Sequence, residues 1–232
     1  MRPGAYHAAV ILVATSVFGC IDATDADTVV PSPGPLIDLP EPRRDGDLPV
    51  EQALAIRRSV REYADTPLSL AALSQLAWSA QGITDSAGHR TSPSAGALYP
   101  LELYVVAGDV PGLEAGIYRY VPEGHRLMRH AGGDARDAVA RAALMQGWIA
   151  DAPAILVIAG VAERSAGKYR DRAPRYIHIE VGHAAQNVYL QAEALGLGTC
   201  MVGGFNDSQL TRVLALPAAA EPLALLPVGT PR

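Results

Sequence analysis

Arg57-Arg58-Ser59-Val60-Arg61 sets two adjacent arginines, a hydroxyl and a third arginine in one short stretch. At a helix end such a set can hold a phosphate through bidentate, charge-assisted hydrogen bonds. A second basic element is the C-terminus, Pro227-Val228-Gly229-Thr230-Pro231-Arg232. A third candidate is Ser92-Pro93-Ser94-Ala95-Gly96, whose small residues permit close backbone approach to a flat or anionic ligand. Each has a plainer meaning alone, as a solvated basic helix end or a flexible loop. His178, Glu180 and His183 form H-x-E-x-x-H on a helix, and Glu180 with His183 would be half of a di-iron site. The chain has no second E-x-x-H, so a core histidine is the better reading than a metal ligand. There is no G-x-S-x-G elbow, H-E-x-x-H or P-loop, and Gly196-Leu197-Gly198 follows a helix, which excludes a dinucleotide fingerprint.

The elements that must position these residues follow from periodicity. A helix is expected from Pro49, with Asp47 as its N-cap and Val50, Leu54 and Ile56 or Arg57 towards one side. A second runs from about Ser69 to Gln81 with Leu70, Leu73, Leu76 and Ala77 as its stripe. Residues 101–108 and 116–121 read as strands, and 134–147 as an Ala-rich helix. The continuous apolar run 152–160 reads as a central strand covered on both faces. Residues 174–196 form the longest helix, with Pro174 in its first turn and Gly196 at its end. A helix at 206–215 and a strand at 222–229 close the chain. Helices and strands alternate without repeats, which predicts an α+β or α/β layer protein with one mixed sheet.

The chain has 232 residues, 49% of them hydrophobic, and a net charge of −5. That is enough to bury a sizeable core, and the lack of basic excess argues against a general nucleic-acid binder. Two cysteines, Cys20 and Cys200, exclude a disulfide scaffold. Residues 8–18 are an apolar run with the length of a signal-peptide core, too short to span a bilayer. The run ends in Val17-Phe18-Gly19-Cys20, which resembles a bacterial lipobox, so residues 1–20 are read as a lipoprotein signal peptide. An uncleaved N-terminal segment or a start codon set too far upstream would look the same. Residues 21–48, acidic and rich in proline, read as an extended tether, leaving 49–232 as the domain. The expected location is exported and membrane-anchored through Cys20, with a cytoplasmic protein as the alternative.

Taken in order, RRSVREY, SPSAGALYPLELYVV, APAILVIAG, the long RYIHIEVGHAAQNVYLQA helix with its GLGTCMVGGF exit, and the terminal LLPVGTP resemble the FMN-dependent nitroreductase superfamily. Within it the match is to the SagB/ThcOx-type dehydrogenase branch. The resemblance covers roughly residues 50–232. It implies an α+β nitroreductase-like fold with a central mixed sheet flanked by helices, an intertwined homodimer, and FMN at each subunit interface. Carried over, Arg57 and Ser59 would hold the phosphate with Arg58 beside them, and Arg61 would lie near the pyrimidine edge of the flavin. Pro93, Ser94 and Ala95 would reach the flavin from the partner subunit, and Gln146 would face the ring. Gly203 and Gly204 would bring a backbone N–H towards flavin N5, and Arg232 would be a second phosphate ligand. Lys168-Tyr169 matches the pair that azoline dehydrogenases of this branch use in catalysis. A Lys base needs its pKa lowered by burial and by neighbours such as Arg170 and Arg172.

The expected function is an FMN oxidoreductase passing hydride through flavin N5. Reductive use would take NAD(P)H and a flat acceptor. Oxidative use would dehydrogenate an azoline-like heterocycle on a small molecule or peptide. Export would conflict with both, because those substrates are cytoplasmic. The alternatives are a non-catalytic, membrane-tethered flavin-binding lipoprotein and a tethered interaction module without a cofactor.

Overall fold

A computed structural model describes Met1 and residues 34–232. The leader, Cys20 and the first part of the tether lie outside the described residues. Seven strands form one sheet: β1 (Leu36–Asp38), β2 (Leu101–Ala107), β3 (Gly116–Val121), β4 (Arg126–Gly132), β5 (Ala154–Val161), β6 (Gly198–Thr199) and β7 (Ala220–Gly229). Their order is β1-β4-β3-β2-β5-β7-β6. Every pairing between them is antiparallel, and the mixed character expected from the sequence is confined to one isolated parallel bridge, Ser59 with Thr199.

The helices lie on both faces. α1 is Val50–Ile56, α2 Leu70–Gln81, α3 Arg136–Ala142, α4 Glu163–Tyr169, α5 Ala173–Ala194 and α6 Asp207–Val213. β5 shows why: Leu156 and Ile158 enter one apolar core with Leu73 and Leu76 of α2 and Val181 and Val188 of α5. The alternate residues Ile155 and Val157 enter a second core with Val139 of α3 and Leu210 of α6. The period of two therefore puts residues 154–159 alternately into one core and the other, which accounts for the unbroken apolar run.

Local chemistry sets the helix ends. Ser69 accepts the Ala72 N–H at 3.1 Å and caps α2, as its sequence predicts. Asn206 does the same for α6 through Gln209. α1 begins one residue after Pro49 with no side-chain cap, so Asp47 has no capping role. The expected 134–147 helix ends at Ala142, because Leu144 and Met145 take left-handed φ values of 57° and 62°. The segment Glu163–Tyr169, which carries the Lys-Tyr pair, is α4, and Arg170 ends it with φ 50°.

The packed domain starts upstream of residue 49. β1 pairs with β4, a strand the periodicity did not reveal, and Leu39 is buried. The anchor is His125. Its Nδ1 lies 2.8 Å from the Tyr120 hydroxyl, and its Nε2 lies 2.6 Å from Ser74 Oγ and 3.1 Å from the Pro40 carbonyl. A neutral ring satisfies all three, with Nδ1 accepting and Nε2–H donating. Burial holds this imidazole below its ordinary value of 6.5, against the pull of the Pro40 carbonyl and Glu41. Between that depressed value and 6.5 the unfolded chain binds more protons than the folded one, so stability falls as pH drops through the window. The stability difference between the native protein and His125→Gln, read by urea titration, should shrink on going from about pH 7 to about pH 5. A difference that stays constant would show that the ring is not the titrating group.

Candidate functional site

The candidate residues fall into two clusters. The first forms where the chain leaving α1 docks on the β6–β7 edge of the sheet. Val60 N donates to Thr199 O at 2.9 Å, Ala64 N to Thr230 O at 2.9 Å, and the buried Tyr63 hydroxyl donates to Val60 O and Pro227 O. The Pro227 carbonyl also accepts from Thr199 Oγ1, so two hydroxyls converge on it. Two glycines make the approach feasible. A Cβ on Gly198 would lie 2.6 Å from Val60, and one on Gly229 would lie 2.9 Å from Pro153 and 3.0 Å from Tyr63.

This docking aligns Arg57, Ser59, Arg61 and the C-terminus. The Arg57 guanidinium sits 5.3 Å from the centre of the Tyr189 ring, and the Tyr189 hydroxyl is 3.1 Å from Ser59 Oγ and accepts the Met201 N–H at 2.8 Å. Arg61 lies 5.8 Å from the Trp148 ring centre. Arg232 donates to Tyr63 O at 3.0 Å, and its N–H to Glu62 O. Arg58 is used differently: its Nη1 donates to the carbonyls of Ala55, Ile56 and Arg57, closing the end of α1, while its N–H goes to Glu193. Gln146 donates to Ala143 O and to Gly204 O at 3.2 Å. Gly203 and Gly204 are exposed, and a Cβ on Gly203 would meet nothing within 4 Å. Beside them Leu144 and Met145 stand 66% and 74% exposed, an apolar surface next to open backbone.

The second cluster joins the Ser92–Gly96 loop to α4. The Glu180 carboxylate, buried on α5, accepts the Ala95 N–H at 2.9 Å. Burial raises its pKa above the usual carboxylate value, against the Ala95 N–H, the Ser94 hydroxyl and His183. Ser94 Oγ accepts the Tyr99 N–H, and Pro93 is exposed. Gly96 holds φ 64°, and a Cβ there would lie 2.6 Å from Lys168 Nζ and 2.9 Å from the Tyr169 hydroxyl. The loop and the Lys-Tyr pair, far apart in sequence, are thus in contact. Tyr169 packs on Tyr176 with ring centres 4.6 Å apart. Lys168 is exposed, so this chain alone does not supply the burial expected for it.

The core-histidine reading of H-x-E-x-x-H is corrected: Glu180 is the buried member, while His178 and His183 face outward. Among the described residues no three His, Cys, Asp or Glu side chains gather as a metal site. Sequence reasoning missed Tyr189, Trp148 and Glu193. Their signal was position: Tyr189 and Glu193 are four residues apart on α5, one turn, and meet the Arg57–Ser59 stretch. Glu180 and Tyr189 are nine residues apart on the same helix, about 14 Å along its axis and on opposite sides at about 100° per residue.

The nitroreductase family model matches residues 54–230. The chain belongs to the nitroreductase family. Members of this family are oxidoreductases, and typically use a flavin. The nitroreductase-named protein MJ1384 of Methanocaldococcus jannaschii is 49% identical over 183 residues, covering 79% of this chain and 91% of its own. A crystal structure from Ralstonia eutropha, also nitroreductase-named, superposes with a TM-score of 0.74 at 30% identity, covering 88% of this chain and 95% of that one. The trifolitoxin-processing protein TfxB of Rhizobium leguminosarum is 33% identical over 143 residues, which are 56% of this chain but only 36% of TfxB. That match supports the SagB/ThcOx-type branch of the family.

The glycines of this nitroreductase-family chain separate two kinds of constraint. Gly96→Ala should cost about 1–2 kcal/mol through its left-handed backbone, whereas Gly203→Ala, in open space, should stay within about 0.5 kcal/mol. Thermal unfolding of the two variants checks this, and equal costs would refute the assignment of strain to Gly96.

Proposed function

We propose that the chain is an FMN-dependent oxidoreductase. The observation that carries this reading is the assembly at the β6–β7 edge. Two cations held by aromatic rings, a hydroxyl and a terminal arginine lie along one docked segment. Beyond them, two exposed glycines face open space beside an apolar pair. That set fits a group with an anionic phosphate and a flat ring. Arg57 and Ser59 would bind the phosphate, with Arg232 adding charge and Arg58 contributing only what its helix-capping contacts leave. Arg61 would favour negative charge on the ring's pyrimidine edge. Gly203 and Gly204 would offer backbone N–H without a side chain in the way, and Gln146 would fix that backbone through Gly204. When bound, the flavin supplies two-electron hydride chemistry.

Lys168 and Tyr169 are the proton-handling candidates, held by the loop that Glu180 pins. The two clusters sit on opposite sides of α5, which supports a site completed by a second copy: one chain supplies the Arg57 cluster and its partner supplies Pro93, Ser94, Ala95 and the Lys-Tyr pair. Val50, Leu54 and Ile56 on α1 and Ile179 on α5 are exposed apolar side chains that a homodimer would cover. Similarity to TfxB supports a peptide-borne heterocycle as substrate ahead of a free nitroaromatic. NAD(P)H would serve as donor in the reductive direction.

The visible spectrum of the purified protein tests the flavin, and its bleaching by NAD(P)H under anaerobic conditions tests turnover. A protein that stays colourless after incubation with FMN would refute the reading. Bound flavin that no donor bleaches would favour the non-catalytic alternative. Arg57→Ala should weaken FMN retention by about tenfold or more. Gly204→Val should keep the fold and lose turnover, since the space beyond it holds only Leu144 at 3.8 Å.

A further inference from the structure

A cavity of about 330 Å³ opens beside the second cluster, on the side of the Ser92–Gly96 loop where Tyr99 and α4 meet β2 and β3. Its charges are unevenly satisfied. Glu102 is nearly buried and holds both Arg119, at 3.1 Å, and Arg164. Arg164 also donates to Tyr99 O. Those three residues leave one net positive charge. Arg90 adds a second cation whose side chain is only 11% exposed. One of its five N–H groups goes to the neutral Gln81 Oε1 at 3.0 Å, and its plane rests 4.5 Å from the centre of the Tyr99 ring. Its one ion pair among the described residues is loose: Glu123 is 67% exposed at the rim, with its oxygen 3.8 Å away.

A nearly buried guanidinium without a close carboxylate is costly unless an anion completes it. Burial lowers the pKa of Arg90, although Glu123, Glu102 and Tyr99 oppose the shift. The rest of the lining is mixed: Leu98 and Pro122, both partly exposed, supply an apolar part beside the polar Gln81. Such a chamber suits one negative charge on an apolar body. An engineered apolar cavity of about 150 Å³ takes up benzene, so this volume holds a ring with a substituent.

We propose that this cavity binds a small organic monocarboxylate, anchored by the Arg90 guanidinium with its apolar body against Leu98 and Pro122. Glu102 is neutralised by its two arginines and orients them without repelling the ligand outright. Arg164 and Lys168 are four residues apart on α4, so an acid held here would lie one helical turn from the Lys-Tyr pair. The site does not depend on the flavin reading, because all its walls come from this chain.

Benzoate is the probe, with its neutral isostere benzamide and inorganic phosphate as controls, titrated by calorimetry into the full-length protein. Saturable benzoate binding is expected, with benzamide and phosphate much weaker. Arg90→Gln should weaken benzoate at least about tenfold, and Arg164→Gln, which removes a cation but keeps the Arg90 anchor, by about threefold. Arg61→Ala should leave the affinity unchanged. Benzoate binding lost in Arg61→Ala but kept in Arg90→Gln would put the acid at the other cluster and overturn the proposal. So would absent binding, or phosphate as tight as benzoate. Should Arg90→Gln fail to fold, Arg164→Gln alone decides: unchanged affinity refutes the site.

Discussion

The docking of residues 59–63 on the β6–β7 edge is the constraint on which the rest of the first cluster depends. A strand edge offers unpaired N–H and C=O groups, and β6 covers only two residues of β7. The chain leaving α1 takes over from there, through the backbone bonds of Val60 and Ala64 and the side chain of Tyr63. Gly198 and Gly229 face each other in the β6–β7 pairing, and each is where a Cβ would strike the docked segment or its support. Without that step the arginines of the segment would have no fixed relation to the C-terminus or to α5. Burial of the Tyr63 ring adds the apolar share and drives its phenol pKa upward, so the hydroxyl stays a donor.

The second cluster depends on an opposite device, a buried polar group that is fully used. Glu180 sits in the α2–α5 core face and would be a liability without partners. The Ala95 N–H and Ser94 occupy it, which ties the loop to the longest helix. Gly96 then turns back with a positive φ and leaves room for the ends of Lys168 and Tyr169. One helix thus positions both clusters, through Glu180 on one side and Tyr189 with Glu193 on the other.

Much of the fold could be read from the sequence wherever one physical rule acted alone. Ser69 starts α2 because a hydroxyl there can cap it, and the apolar run of β5 reports two cores. Where tertiary contacts decide, the reading failed. β4 was missed because its residues, Arg126, Arg129 and His130 among them, are only partly buried and show no apolar alternation. β1 was hidden in a proline-rich segment whose hold comes from His125, distant in sequence. The alternation of helices and strands suggested a mixed sheet, yet antiparallel strands covered on both faces by helices produce the same alternation. That Arg57, Ser59 and Arg61 share one short stretch was legible, but the diversion of Arg58 into capping α1 was not, since it depends on where the helix stops.

The treatment of arginines explains how a chain of net charge −5 keeps cationic sites. Arg119, Arg129, Arg136 and Arg164 all have carboxylate partners, which neutralise them locally. Arg57 and Arg61 have aromatic faces instead, and Arg232 a backbone carbonyl. An aromatic ring or a carbonyl fixes a guanidinium in place but carries no opposite charge, so the field it projects survives for a ligand. Carboxylates in the same places would give equal order and cancel that field at contact distance, where screening by salt is least effective. Arg90 follows the aromatic pattern through Tyr99, and with only a loose, exposed carboxylate at the rim its field too is left largely uncancelled.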